Sequence, residues 1–287
     1  MLDKSRGLSV DCVAYDLEDS VSLNRKDEAR QRLRRFLEEP AAPGINEVAV
    51  RINSVDSGLA EKDLAHVCNA PTLKTIVIPK VSSPADLTWA ADFLAHKSSQ
   101  VKILALIESA KSLSNLTSIC RATPLLSGLI FAAEDFALDL SLTRTPSLTE
   151  FLYARSAIVT AARAHDIPST IDLVCTDFKG EQGRQRMEEE CLGGKRLGFN
   201  GKQCIHPNQV GIAQEAFAPA EEEVEWAVRV GIANEKAEKQ GKGAWALDGK
   251  MIDVPVVRKA RGIVAKAEQC GHDVDAIKAR WGTQEPE

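Results

Sequence analysis

The sequence predicts an α/β protein: a (β/α)8 barrel of the TIM type without its first strand, followed by a C-terminal helical lid. Three observations carry this reading. Short apolar runs alternate with longer helix-periodic stretches, the pattern of a parallel sheet covered by helices. Seven such runs recur roughly every 25 to 35 residues, the pitch of a βα unit, one fewer than a closed barrel needs. Acids or bases stand at the ends of six of them, as expected where strand ends converge on one mouth. An open doubly wound sheet accommodates seven strands too, but concentrates its polar ends at one switch point.

The runs are Cys12–Leu17, Val48–Asn53, Thr75–Lys80, Val101–Glu108, Gly128–Asp135, Ser169–Val174 and Gly201–His206. The polar residues at their ends are Glu18 with Asp19, Arg51, Lys80, Glu108, Glu134 with Asp135, and His206. Helices are expected between them, among them 24–38 and 148–165. Only a fragment of helix precedes Cys12, where a barrel chain normally begins with a strand. Residues 1–218 are read as the barrel and 219–287 as a lid and oligomer-contact extension. In that extension Glu221, Glu222 and Glu223 open a helix by favourable charge at its N-terminus, running past Trp226 to about Gln240. Gly241-Lys242-Gly243 breaks it, Trp245 to Lys250 suits a short hairpin, and Val254 to Gln269 a last helix. Residues 273–287 read as frayed or peripheral.

Composition narrows the function. The chain has 287 residues, 44% of them hydrophobic, enough for one large core. A net charge of −5 argues against non-specific nucleic-acid binding, and no apolar run is long enough to span a membrane. Seven scattered cysteines with no CxxC pair read as reduced thiols of an intracellular protein. Five histidines without HExxH spacing argue against zinc. Neither a serine nucleophile elbow nor a P-loop is present. The chain opens without a signal peptide or an arginine-rich transit sequence.

The chemistry lies in the carboxylates. A lone carboxylate at the end of a buried strand is costly unless solvated, paired or bound to a cation. Glu108 and Asp135, closing consecutive runs, point to a hard-metal site, since Mg²⁺ takes a few carboxylate oxygens and keeps positions for water or substrate. The competing reading makes both helix N-caps. Arg51, always charged, suits an oxygen that gains negative charge; it equally suits an ion pair with Asp16, Glu18 or Asp19. Asp253, before Val254-Pro255, reads by itself as a helix-entry cap.

Seven motifs in order add a resemblance: YDLEDSV at 15–21, VRINS at 50–54, IPKV at 78–81, ALIES at 105–109, AAEDF at 132–136, IDLV at 171–174 and GFNGKQCIHPNQ at 198–209. The chain resembles the HpcH/HpaI aldolase and citrate lyase β-subunit family over nearly its whole length. NSVDSGLAEKDL at 53–64 and GKGAWALDGKMIDVP at 241–255 are similar to the branch that cleaves citramalyl-CoA. Two departures stand out. The family's first strand, its VPG-like loop and most of the following basic residues have no counterpart, and GGED or GAED becomes Ala132-Ala133-Glu134-Asp135.

The resemblance implies a Mg²⁺-dependent lyase that splits a 3-hydroxyacyl-CoA into acetyl-CoA and a 2-oxo acid such as pyruvate, with malate-synthase-like side activity. It implies Glu108 and Asp135 as metal ligands and Asp253 as catalytic acid/base on a closing segment. Arg51 would act on the carbonyl oxygen. Lys4, Arg51, Gln203 and Cys204 would contact substrate, with Glu18 and Asp19 orienting Arg51 or the metal's waters. His206 reads as structural. A homotrimer and a mitochondrial location are also implied. A CoA-independent hydroxy-oxo-acid aldolase, or a catalytically impaired truncated paralogue, are the alternatives.

Overall fold

The computed structural model describes residues 2–95 and 100–287. They form two compact units, Met1–Ala213 and Gln214–Glu287.

The first unit is built on seven parallel strands: β1 (Val10–Asp16), β2 (Ile45–Arg51), β3 (Thr75–Ile78), β4 (Lys102–Ile107), β5 (Leu126–Phe131), β6 (Ser169–Asp172) and β7 (Gly201–Lys202). Their spatial order is their sequence order, with β1 and β7 at the two ends. A doubly wound sheet reverses direction at a switch point; this one never does. Helices link the strands: α1 (Leu2–Ser5) precedes β1, and α2 (Lys26–Phe36), α3 (Ala60–Val67) and α4 (Pro84–Ala95) follow β1, β2 and β3 in turn. Next come α5 (Ala110–Ser114) and α6 (Leu116–Cys120) after β4, α7 (Ala133–Leu140) and α8 (Leu152–Ala164) after β5, and α9 (Gly180–Leu197) after β6.

Side-chain alternation divides the sheet into two faces. Ala49, Val77, Leu104, Leu106 and Ile130 pack with Ala132 and Ile171 in a cluster supplied by the strands and their exits. A face that fills itself with strand side chains is the interior of a barrel. On the other face Phe131 meets Phe136 of α7 and Phe151 before α8 edge to face, at 5.3 and 5.7 Å. The result is a parallel seven-strand half-barrel. At its β1 end the inner-face residues Cys12 and Ala14 are exposed, whereas Ala49 and Leu104 are buried.

Three sequence readings need correction here. The run 128–135 is not one strand: β5 stops at Phe131, and Glu134 and Asp135 occupy the first turn of α7. The run 201–206 shortens to the two residues of β7, since the hydrogen bond of Gln203 N to Asp172 O at 3.1 Å is the last along that pair. The third correction concerns the C-terminus. Residues 274–281 form a capped helix with two buried side chains, Val274 and Ile277, not a frayed tail. Their spacing with Trp281 follows the helical period.

α10 (Asn208–Phe217) carries the chain onward into the second unit. There α11 (Glu221–Lys239), a hairpin of β8 (Trp245–Leu247) and β9 (Lys250–Ile252), α12 (Val254–Gln269) and α13 (Val274–Trp281) enclose their own core. The hairpin turns on Asp248 and Gly249, both at positive φ (50° and 70°), as a tight two-residue turn requires. Glu287 exchanges two backbone hydrogen bonds with Ala246, at 3.0 and 3.1 Å. No helix of the described residues is long and apolar enough to cross a membrane.

Candidate active site

The inner face ends in charge. Two residues beyond Ala49 on β2 stands Arg51, and two beyond Leu106 on β4 stands Glu108, so the parity that buries the cluster also aims these groups at the mouth. Asp16 is the register partner of Arg51.

Arg51 meets Asp16 through a two-point ion pair, Nε to Oδ1 at 2.8 Å and Nη2 to Oδ2 at 2.7 Å. Its Nη1 lies 3.1 Å from Glu18 Oε2 and 3.6 Å from Asp19 Oδ2. Burial works against ionisation of Asp16, but the hydrogen bonds from Arg51 and Ser20 outweigh it and hold the carboxyl at about 2. Glu18 is buried deeper, and that burial pushes its carboxyl above the ordinary value despite Arg51. Its other oxygen lies 3.3 Å from Lys80 Nζ. Behind this loop Lys26 Nζ donates to Leu17 O and Glu18 O, both at 2.7 Å, and Asn53 Nδ2 donates to Leu17 O at 3.1 Å.

Glu108 is 5% exposed. Burial raises its carboxyl to about 7, aided by the negative charges of Asp135 and Glu18 and opposed by the backbone N–H and the charge of Lys80. The helix cap after β4 is Ser109, whose Oγ accepts from Ser112 N at 3.1 Å. Glu108 is thereby relieved of the capping role. Asp135, two residues into the helix from its first residue Ala133, is exposed. Ala132 has φ −100°, which any residue adopts, so its backbone does not require the glycine found in the family motif.

A hard cation fits this pair. A carboxyl pushed to about 7 by burial, with the negative charge of Asp135 adding to the effect, is one whose ionised form a divalent ion would favour. Among the described residues no three His, Cys, Asp or Glu form a ready-made cage. Mg²⁺ does not need one, since it is commonly held by one or two carboxylates with water and substrate completing the shell.

The remaining sequence candidates lie on other elements, at the exit of β7, on α1 and at the start of α12. Gln203 and Cys204 follow β7, both half-buried, and burial pushes the Cys204 thiol to about 11, unsuited to a nucleophile. His206 stacks on Phe178 at 4.9 Å. Lys4 is exposed on α1, where the neighbouring Ser5 Oγ meets Tyr15 OH of β1 at 2.8 Å, and Arg6, just after the helix, lies over the Phe36 ring of α2 at 4.4 Å. Asp253 caps α12, its Oδ1 accepting from Val256 N at 3.1 Å.

Sequence reasoning missed a second charged group at the mouth. Arg144 pairs with Glu134, with Glu190 Oε1 at 2.9 Å and with Val174 O at 3.0 Å, and Lys202 Nζ reaches Glu190 Oε2 at 2.8 Å. Arg144 lies in a loop and Glu190 within α9, where charge is ordinary. The one signal was Lys202, a lysine inside a strand.

A parallel half-barrel with acids and bases gathered at its strand exits defines an enzyme of the α/β barrel class. Comparison with known proteins gives the rest. Residues 1–207 match the model of the HpcH/HpaI aldolase/citrate lyase family. The mitochondrial citramalyl-CoA lyase of Rattus norvegicus is 37% identical over 279 residues, 92% of this chain and 81% of that protein. The crystal structure of CitE from Mycobacterium tuberculosis in complex with magnesium, acetoacetate and coenzyme A superposes with a TM-score of 0.72 at 28% identity, over 90% of each chain. A citrate lyase from Burkholderia xenovorans LB400, 19% identical, shares the fold with a TM-score of 0.82 over 98% of this chain and 91% of that one. The chain belongs to the HpcH/HpaI aldolase/citrate lyase family and is a carbon–carbon lyase.

Proposed function

We propose that this chain is a Mg²⁺-dependent lyase that cleaves a 3-hydroxyacyl-CoA of the citramalyl-CoA type into acetyl-CoA and a 2-oxo acid such as pyruvate. The observation that carries this reading is buried Glu108 in the field of Asp135 on consecutive strand exits, with Glu18, the partner of Arg51, also acting on it. The names of the relatives supply the substrate class: citramalyl-CoA for the rat enzyme, and magnesium with coenzyme A for the M. tuberculosis protein.

In cleavage the bond between the carbon bearing the hydroxyl and the carbon next to the thioester breaks. The hydroxyl gives up its proton and its oxygen becomes the ketone of the 2-oxo acid. The electron pair of the broken bond passes to the acetyl-CoA carbon, which takes up a proton, so that protons balance overall. Glu108 and Asp135 would hold Mg²⁺, which when bound supplies Lewis acidity to the oxo-acid oxygens. Arg51 offers fixed positive charge to the oxygen whose charge changes, and Asp16, Glu18 and Asp19 hold the guanidinium in place. Asp253 serves as acid/base for the acetyl carbon, within a C-terminal segment acting as a lid. Lys4, Gln203 and Cys204 complete the substrate contacts of this reading. The free edge of β1 is where the eighth strand of a closed barrel would pair. A mitochondrial setting follows the name of the rat relative, and a homotrimer belongs to the same proposal.

The test is a coupled assay of pyruvate release from citramalyl-CoA, with Mg²⁺ and with chelator. Release that depends on Mg²⁺ supports the proposal. Cleavage of a CoA-free hydroxy-oxo acid instead would make the chain an aldolase, and cleavage of neither would make it an impaired paralogue.

A further inference from the structure

We infer that Asp139 and Arg144 are positioning residues that clamp α7 from two sides, fixing the Asp135 carboxylate opposite Glu108 for a divalent cation. This rests on the metal reading above and deepens it.

The helix is eight residues long, too short to be stable alone. What fixes it in place therefore decides where Asp135 points. One anchor is apolar: Phe136, 2% exposed, meets Phe131 at 5.3 Å and Phe151 at 6.5 Å. That contact, with buried Ala133 and Ala137, seats the helix against the sheet. Two polar anchors fix its first turn and its far end besides.

Asp139 is the first. It lies four residues after Asp135, on the same face one turn further along. Its Oδ2 accepts a hydrogen bond from Ala110 N at 2.8 Å. Ala110 is two residues beyond Glu108. The bond thus turns the Asp135 face of α7 toward the segment that carries Glu108.

Arg144 is the second. It pairs with Glu134, the neighbour of Asp135. The guanidinium is itself held by Glu190 Oε1 at 2.9 Å and Val174 O at 3.0 Å. Glu190 is buried and locked from its other oxygen by Lys202 Nζ at 2.8 Å. The chain of contacts joins the exits of β5, β6 and β7 to the first turn of α7. One anchor faces β4 and the other β6 and β7, so the helix is braced on both flanks. Partners of this outer kind typically govern metal affinity by about 10–100-fold, because a site must hold its ligands to within about 0.5 Å.

The experiment is titration of the purified chain with Mn²⁺, free Mn²⁺ being read by electron paramagnetic resonance without substrate, beside thermal melts of the metal-free protein. Asp139→Ala and Arg144→Met should each weaken Mn²⁺ binding by about 10–100-fold. Asp139→Asn, which keeps a carbonyl oxygen for Ala110 N, should restore binding to within about threefold of the parent, a recovery that general loss of stability would not give. Should Arg144→Met fail to fold, the two Asp139 variants decide alone. Affinities within twofold of the parent for Asp139→Ala and every folded Arg144 variant would overturn the clamp, while Asp135→Asn losing Mn²⁺ would keep the metal reading. If Asp135→Asn binds Mn²⁺ like the parent, the metal reading falls and the clamp with it.

Discussion

Asp16 and Arg51, paired in register at the ends of β1 and β2, face each other in a two-point ion pair at 2.8 and 2.7 Å. Asp16 also accepts from Glu18 N at 2.9 Å, Ser20 N at 3.0 Å and Ser20 Oγ at 2.5 Å. One carboxylate therefore folds the loop after β1 and aims the guanidinium. The arrangement reconciles the two readings of Arg51: the ion pair is present, and it leaves Nη1 turned toward Glu18 and Asp19.

Replacing Asp16 by Asn removes the charge and one of the two acceptor positions. Loss of a charge-assisted pair of this kind should cost about 2 kcal/mol, measured by urea denaturation at pH 7. The carboxyl is held at about 2 against 3.8 ordinarily, so its contribution is complete above 3.8 and fades as pH falls through about 2. Parent and variant should therefore converge in stability only in strong acid. A gap that closes near neutrality would refute the assignment.

Glu108 titrates in the opposite sense. Its carboxyl sits at about 7 against an ordinary 4.5, so the metal-free folded chain binds that proton more tightly than the unfolded chain. Stability from this group is full below 4.5 and is lost as pH rises through about 7. Bound Mg²⁺ competes with the same proton. The rise in melting temperature on adding Mg²⁺ should thus be larger at pH 8 than at pH 5.5, and Glu108→Gln should abolish that pH dependence. An equal rise at both values in the parent would count against Glu108 as a ligand.

Much of the fold was legible because buried parallel strands are written as continuous apolar runs, and five of the seven runs coincide with strands over most of their length. The errors fall where that signal fails. Ala132 and Ala133 extend the apolar run past β5, yet alanine is as content in a helix, and Glu134 starts one by charge. Gly201-Lys202-Gln203-Cys204 carries too little side-chain patterning to mark an end. At the site, Glu108 and Arg51 were readable as charges closing apolar runs. Asp16 was less so, because its pairing depends on the register of β1 with β2. Arg144 and Glu190 were silent, since their meaning comes from meeting across 46 residues of sequence.

Asp135→Asn keeps the shape of the side chain and removes its charge. Apparent Mg²⁺ affinity and turnover should both fall, read as the Mg²⁺ concentration giving half-maximal pyruvate release. A variant with the parent's Mg²⁺ curve would remove Asp135 from the ligand set.

Asp253 caps α12 through Val256 N at 3.1 Å, and the same side chain is proposed as the acid/base. Asparagine separates the two roles. It caps a helix about as well as aspartate, so Asp253→Asn should melt within about 2 °C of the parent, a shift well under 1 kcal/mol. It cannot exchange a proton at neutral pH, so turnover should drop by about 10²–10⁴-fold with substrate binding nearly unchanged. Asp253→Ala loses both roles and should lose about 1 kcal/mol of stability besides. Turnover preserved in Asp253→Asn, with only Asp253→Ala impaired, would reduce Asp253 to a helix cap and send the search for the proton donor elsewhere.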